Sequence, residues 1–139
     1  MPARDIYHQV VKQAFIKAGW TITHDPYPLA WAKRNLSIDL GAEQLLAAEN
    51  NDRKIAVEVK SFIRESRIAD LEPALGQYTL YYDLLKRTES EIQLYLAIPL
   101  NAFTELFEGE SFGQILLDNN RLNLVIFNQK IEERVQWIA

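Results

Sequence analysis

The feature that most constrains this 139-residue chain is a short apolar run at residues 55–60 that carries two opposite charges. Successive side chains of a β-strand point to opposite faces, so Val57 and Val59 face one way and Glu58 and Lys60 the other. Residues two apart on such a face have Cα atoms roughly 6.5–7 Å apart. The run therefore predicts a strand of a sheet that projects a carboxylate and an ammonium group into one cleft.

The rest of the chain predicts an α/β domain. Helical periodicity favours helices over residues 4–18 and 70–87, with Asp70 as N-cap and Pro73 in the first turn of the second, and short helices near 102–108 and 112–118. Alternation favours strands over 20–23, 36–40, 45–49, 54–60, 92–98 and 122–127. The residue types at 50–52 predict a turn, and residues 27–35 are predicted to be irregular. Residues 130–138 are predicted to form either a strand or a helical turn. This order predicts a mixed β-sheet flanked by helices. Without repeats or linkers, residues 1–139 are expected to form a single domain.

Composition excludes several function classes. The chain has no cysteine, which rules out disulfides and thiolate metal sites. It also lacks a phosphate-binding GxxxxGK[ST] loop and the HExxH and GxSxG motifs.

The net charge is −4, whereas proteins that bind DNA broadly are usually basic, so any DNA contact is expected to be local, metal-assisted or partner-dependent. No apolar run approaches the ~20 residues of a membrane span, and a cytoplasmic location without membrane contact is expected.

The charged pair and an upstream aspartate suit hydrolysis of a phosphodiester. Glu58 is predicted to hold Mg²⁺, which prefers oxygen ligands, while Lys60 positions the attacking water and stabilises developing charge. Asp39 is predicted to lie on a strand beside Glu58 and to complete the metal site. Each residue has a simpler interpretation: Glu58 and Lys60 as an ion pair at a sheet edge, and Asp39 as a solvated acid at a strand end.

Further candidates lie on the predicted helices and hairpin. Gln77 and Tyr81 share one side of the second helix, where Gln77 is predicted to contact a phosphate, a base or the attacking water. Tyr81 also belongs to the apolar stripe, which favours a packing role. Asp5 and His8 could add a metal ligand or a proton shuttle, or be a helix-starting carboxylate beside a satisfied histidine. Glu43 is either an extra ligand or, as we favour, a surface charge.

These residues carry a family resemblance. The pattern of Asp39, Glu58-Val59-Lys60 and Gln77 with Tyr81 resembles the PD-(D/E)xK nuclease superfamily, whose RecB-like branch typically has a Gln-xxx-Tyr pattern; Ile38 stands where the superfamily motif has proline. Five separated blocks, residues 5–8, 18–26, 38–43, 55–62 and 74–78, resemble the XisH family of excision controlling factors of the cyanobacterial fdxN element. The resemblance spans essentially the whole chain.

The resemblance implies a restriction-endonuclease-like fold and two competing hypotheses. In the first, the protein acts on DNA through a Mg²⁺- or Mn²⁺-dependent endonuclease site, with Asp39 and Glu58 binding the metal, Lys60 positioning water and Gln77 steadying the substrate. In the second, it is a catalytically silent accessory protein that binds a small companion, XisI, or the site-specific recombinase that excises the element. The oligomeric state stays open, and a homodimer is one option for a small, acidic, tyrosine-rich domain.

Overall fold

The computed structural model describes residues 5–31, 34–46, 51–63, 67–108, 112–119, 122–128 and 136–138. Its helices in these residues are α1 (His8–Lys17), α2 (Arg67–Thr88), α3 (Leu100–Leu106) and α4 (Phe112–Asp118). Its strands are β1 (Thr21–His24), β2 (Tyr27–Trp31), β3 (Arg34–Ile38), β4 (Leu40–Leu46), β5 (Asn51–Val59), β6 (Gln93–Pro99), β7 (Leu124–Phe127) and β8 (Gln136–Ile138).

Six of the strands form one mixed sheet in the order β1-β4-β5-β6-β7-β8. The central strands β5, β6 and β7 run parallel, while β1, β4 and β8 pair antiparallel with their neighbours. Parallel neighbours need a crossover connection, and α2 supplies it between β5 and β6. The remaining strands, β2 and β3, form a separate antiparallel hairpin. The predicted mixed sheet flanked by helices is confirmed.

Hydrophobic residues cover both faces of the sheet, as the alternation along β5 requires. On one face, Val11 and Phe15 of α1 pack with Val57 and Val59. On the other face, Ala56 of β5 packs with two groups of side chains: Leu71, Ala74, Tyr78, Tyr81, Leu84 and Leu85 of α2, and Tyr27, Leu29 and Ile38 of the β2–β3 hairpin. Because side chains two apart share a face, Glu58 emerges on the side covered by α2 and the hairpin.

The stretch 27–35 is predicted to be irregular, but residues 27–31 and 34–35 lie in the paired strands β2 and β3, and for them that prediction is wrong; residues 32 and 33 lie outside the described residues. Five residue pairs link the strands, from Tyr27 opposite Ile38 to Trp31 opposite Arg34. Pro28 removes a backbone donor and obscures the strand pattern in the sequence, although proline is compatible with the edge of a two-stranded hairpin. The predicted strand 36–40 is accordingly divided, and Asp39 lies between β3 and β4 rather than within a strand.

Other predicted boundaries also shift. The predicted strand at 45–49 is the end of a longer strand, β4, which begins at Leu40, and residues 47–50 lie outside the described residues. Asn51 and Asp52, predicted as turn residues, already pair with β4. Asp70 is not an N-cap, because α2 begins at Arg67. The predicted second helix and the strand option for the tail are confirmed, since β8 pairs with β7.

A buried tyrosine ties α2 to the parallel strands. The Tyr78 hydroxyl donates to the carbonyl of Leu94 at 3.2 Å and accepts from the backbone N–H of Asn123 at 3.2 Å. Burial raises the pKa of Tyr78 to about 12, so the hydroxyl stays protonated at physiological pH. A single hydroxyl thus links α2, β6 and the segment before β7.

Removal of this hydroxyl is expected to destabilise the fold. Tyr78→Phe removes the partner of the half-buried Asn123 N–H and one of the two donors to the Leu94 carbonyl, which keeps the bond from Asn123 Nδ2 at 3.2 Å. We expect a loss of about 1–2 kcal/mol in the free energy of unfolding, measured by urea denaturation. Tyr82→Phe is the matched control, since Tyr82 stacks on Tyr78 but is more exposed. Equal effects of the two substitutions would contradict this role for the Tyr78 hydroxyl.

Candidate functional site

Two carboxylates meet where β4 and β5 pair. The antiparallel register places Leu40 opposite Val57, which brings Asp39 opposite Glu58. The backbone N–H of Asp39 donates to Glu58 Oε1 at 3.1 Å, and the N–H of Val59 donates to Asp39 Oδ2 at 2.7 Å. Each acid is therefore held by the backbone next to the other, and the two side chains have little freedom to separate.

Burial gives this pair unusual electrostatics. Glu58 is only 5% exposed. Burial, and secondarily the negative charge of Asp39, raise the pKa of Glu58 from 4.5 to about 8, although Lys60 acts in the opposite direction. Two adjacent ionised carboxylates in a buried site repel each other, so a proton or a cation between them is favoured. At neutral pH the pair therefore tends to hold one proton.

Lys60 lies beside the pair, as the spacing along β5 predicts. Its Nζ is 3.7 Å from Glu58 Oε2, and its side chain is 33% exposed. Its backbone N–H donates to the carbonyl of Ala97 on β6, which fixes the end of the strand against the sheet. The ammonium group thus stands at the opening of the site, while the carboxylate of Glu58 lies deeper.

Gln77 and Tyr81 face the carboxylates from α2. The Gln77 amide Nε2 donates to the Tyr81 hydroxyl at 3.0 Å. Burial and then the negative charge of Glu58 raise the pKa of Tyr81, whereas the bond from Gln77 lowers it. Tyr81 is a core residue and also lines the cleft, so its packing role and its proximity to the site are both observed.

Asp5 anchors the start of α1 to the end of β5. Its Oδ1 accepts from the backbone N–H of Tyr7 at 2.9 Å, and its Oδ2 accepts from the N–H of Ser61 at 2.8 Å. Both oxygens of Asp5 already bond to backbone groups. The structure thus brings Asp5 to the cleft in the role of a helix-starting carboxylate.

His8 belongs to an ionic cluster that sequence reasoning missed. Its ring Nε2 is 2.7 Å from Asp25 Oδ1, and Lys12 Nζ donates to Asp25 Oδ2 at 2.8 Å. His8 is 3% exposed, and its Nδ1 has no hydrogen-bond partner among the residues that the structure describes. The sequence indicates only part of this cluster. His8 and Lys12 are four residues apart and share one face of the helix, but no sequence pattern connects them to the turn at Asp25.

Glu43 does not join the site. In the register of the two strands, Glu43 on β4 lies opposite Lys54 on β5. It lines a separate cavity of about 400 Å³ together with Tyr27, Glu89 and Glu91. The structure therefore places Glu43 away from the two carboxylates, and the hypothesis that it is an extra ligand loses its geometric basis.

The other predicted residues share one cleft of about 840 Å³. Its lining includes Asp5, His8, Asp25, Pro26, Asn35, Leu36, Ser37, Asp39, Glu58, Val59, Lys60, Gln77 and Tyr81. Over the described ranges, no three His, Asp or Glu side chains are grouped so that they could hold a metal ion. A metal here would depend on Asp39 and Glu58, and such a pair fits Mg²⁺, which is commonly bound through one or two carboxylates and retains several waters.

With this geometry established, comparison with known proteins assigns the chain to a family. The XisH protein family matches residues 1–135. The chain belongs to the XisH family. Over the part of the chain that the structure describes, no helix is both long and apolar enough to traverse a bilayer.

Two crystal structures share the fold of this chain. An XisH family protein from Nostoc punctiforme PCC 73102 is 39% identical, with a TM-score of 0.83, and the match covers 97% of this chain and 100% of that one. An fdxN element excision controlling factor protein from Anabaena variabilis is 36% identical, with a TM-score of 0.84, and the match covers 98% of this chain and 100% of that one. No protein with curated annotation matches the chain significantly.

The Asp25 cluster predicts a pH-dependent contribution to stability. Burial raises the pKa of Asp25, but the bonds from Lys12 and His8 outweigh it, so the pKa lies below its usual 3.8. A lowered pKa stabilises the fold above pH 3.8, and this contribution is lost as the pH falls through the folded-state value. Asp25→Asn is expected to cost about 1–3 kcal/mol at pH 7.

Urea denaturation of both proteins from pH 7 towards about pH 2 checks this prediction, because the difference in unfolding free energy should shrink as wild-type Asp25 becomes protonated. Asp83→Asn, at an exposed carboxylate of α2, is the control and should show little effect. A deficit that stays constant across the pH range would show that Asp25 does not act through its charge.

Proposed function

We propose that this XisH-family protein hydrolyses DNA phosphodiesters in the cleft, with a Mg²⁺ or Mn²⁺ ion bound by Asp39 and Glu58. The observation that carries this proposal is that Asp39, which directly precedes β4, meets Glu58 and Lys60 from the end of β5 at one opening. Such a set matches the acids and amine of PD-(D/E)xK nucleases. The proposed cation also explains why two carboxylates lie together in a buried site, an arrangement that is electrostatically unfavourable without a positive charge between them.

Each residue has a distinct task in this mechanism. Asp39 and Glu58 supply oxygen ligands from fixed positions, since the hydrogen bonds at 3.1 and 2.7 Å hold them in place. A bound divalent cation supplies Lewis-acid stabilisation of the phosphate and lowers the pKa of bound water. Lys60, near the opening, positions the attacking water and balances negative charge on the phosphate oxygens. Gln77 steadies the substrate with the amide oxygen that its bond to Tyr81 leaves available.

The cleavage assay uses supercoiled plasmid with Mg²⁺ or Mn²⁺. Glu58→Ala and Lys60→Ala are each expected to reduce the cleavage rate by at least about 100-fold, the typical cost of losing a group that stabilises charge in the transition state. Glu43→Ala and Lys54→Ala are the matched controls: a carboxylate on β4 and an ammonium on β5, both outside the cleft. They should leave the rate unchanged. Cleavage that survives both cleft substitutions would remove the assigned site.

Cation binding can be tested without turnover through the pH dependence of stability. Because the folded-state pKa of Glu58 is about 8 and its ordinary value is 4.5, the folded state holds this proton more tightly than the unfolded chain does. Its stabilising contribution is complete below pH 4.5 and is lost as the pH rises through about 8. A cation between the carboxylates replaces that proton, so Mg²⁺ should raise the melting temperature more above pH 8 than at pH 6.

Glu58→Gln removes the titrating group and keeps its shape, so thermal unfolding of this variant should be less sensitive to pH and to Mg²⁺ than that of wild type. Glu43→Gln, which lies in the separate cavity, is the control and should retain the wild-type response. An equal Mg²⁺ effect in wild type and Glu58→Gln would place any bound cation elsewhere.

The net charge of −4 favours a second candidate, a catalytically silent accessory protein. In this role the domain binds a companion of the XisI type or a site-specific recombinase, and the partner supplies the basic DNA-binding surface. Co-purification with each partner, followed by the same plasmid assay on the complex, separates the candidates. Stable binding of a partner without cleavage by any complex would favour the accessory role.

A further inference from the structure

We infer that the separate cavity beside Tyr27 binds the guanidinium group of an arginine side chain on a partner protein. This cavity of about 400 Å³ lies on the same face of the sheet as the cleft, since Lys54 lines the cavity, Glu58 lines the cleft, and the two residues are four apart on β5. Four residues of strand span roughly 13 Å, so a partner held here would lie close to the cleft.

The Tyr27 hydroxyl is a polar group that the fold leaves without a partner. Tyr27 is 8% exposed, and its hydroxyl makes no hydrogen bond within the described ranges. Among the described residues, His8 Nδ1 is the one side-chain atom that is both sealed from solvent and unpartnered, so the Tyr27 hydroxyl still reaches the space of the cavity. A largely buried hydroxyl gains free energy from a ligand that bonds to it.

The ring of Tyr27 is held firmly in this position. A Cβ atom at Gly41 would lie 2.9 Å from Tyr27 Cδ2, so the ring packs directly against the backbone of β4. His24 makes an edge-to-face contact with the ring, with centroids 4.9 Å apart, and His24 Nδ1 is 3.0 Å from Thr23 Oγ1. Because the hydroxyl is already fixed, a ligand does not have to order it on binding.

Two glutamates bring negative charge to the same place. Glu89 and Glu91 lie on the short connection between α2 and β6, where the N–H of Glu89 donates to the Leu85 carbonyl at 2.8 Å and the N–H of Ile92 donates to the Glu89 carbonyl at 3.0 Å. Burial, and then the charges of Glu89 and Glu91, raise the pKa of Tyr27, so both carboxylates act on its hydroxyl. Neither carboxylate forms an ion pair with any residue that the structure describes.

These groups suit an organic cation with several N–H donors. Glu43 and Lys54 lie opposite each other in the strand register, so their charges offset, and the two glutamates of the connection decide the sign of the cavity. The raised pKa keeps the Tyr27 hydroxyl neutral at physiological pH, and a neutral phenol accepts a hydrogen bond. A guanidinium group has five N–H donors in a planar fork, which is enough for two carboxylates and a phenol oxygen.

The charge of the cavity also favours an arginine within a polypeptide over free arginine. Glu89 and Glu91 would repel the α-carboxylate of the free amino acid, whereas a peptide backbone carries no such charge. The net charge of −4 favours a basic partner. The inference does not depend on the nuclease activity, because neither DNA nor a metal ion takes part in it.

The test is an NMR titration of the ¹⁵N-labelled full chain with N-acetyl-arginine amide, in buffer without divalent cations. We expect a dissociation constant of about 1 mM, which is usual for a ligand of about 15 non-hydrogen atoms, with the largest shifts at Tyr27, Glu89 and Glu91. The citrulline amide keeps the shape without the charge and should bind at least about 10-fold more weakly. The lysine amide and free L-arginine should each bind about 3-fold more weakly.

Two variants identify the groups that bind the probe. Tyr27→Phe should weaken binding of the arginine amide by about 5-fold or more and leave the melting temperature unchanged, because the hydroxyl has no partner in the fold to lose. Glu89→Gln with Glu91→Gln should weaken it by at least about 10-fold. The matched control, Glu72→Gln with Glu108→Gln, removes the same charge from exposed positions outside the cavity and should bind like wild type.

The outcomes separate this inference from the proposed function. Absence of saturable shifts, equal binding of the citrulline amide, or undiminished binding in folded cavity variants would overturn the site. Tighter binding of free L-arginine than of the amide would overturn the assignment to a protein partner. None of these results bears on the cleavage assay, and loss of cleavage activity would leave the arginine site standing.

Discussion

The candidate site depends on the reciprocal bonding of two acids at the start of β4 and the end of β5. Asp39 accepts from the backbone beside Glu58, and Glu58 accepts from the backbone of Asp39. The β4–β5 register makes this possible, because a shift by one residue would turn Glu58 to the opposite face of the sheet. The core on both faces therefore fixes the register, and the register fixes the site.

This arrangement is costly for the fold unless a positive charge shares it. Burial and the neighbouring Asp39 raise the pKa of Glu58 to about 8, and Lys60, at 3.7 Å and partly exposed, compensates in part. Groups with such displaced pKa values often occur at functional sites, since function uses the unfavourable charge. A divalent cation is the ligand that would relieve the repulsion while keeping both acids ionised.

Alternation and helical periodicity predicted the sheet, the two long helices and the cleft residues Glu58, Lys60 and Gln77, since these features depend on local patterns. The β2–β3 hairpin was missed because Pro28 masks alternation, and Asp25 was missed because its contacts with α1 are tertiary. Glu43 was considered as an extra ligand because it is a further carboxylate near the predicted hairpin between Asp39 and Glu58. Four residues of extended strand span roughly 13 Å, however, which carries Glu43 away from the cleft.

The most direct test of the account is the anomalous scattering of Mn²⁺ in a crystal of this protein grown at alkaline pH. The account predicts a peak between the carboxylates of Asp39 and Glu58, at about 2.0–2.3 Å from an oxygen of each. A map with no peak there, while the two acids keep their mutual backbone hydrogen bonds, would contradict the proposed metal site.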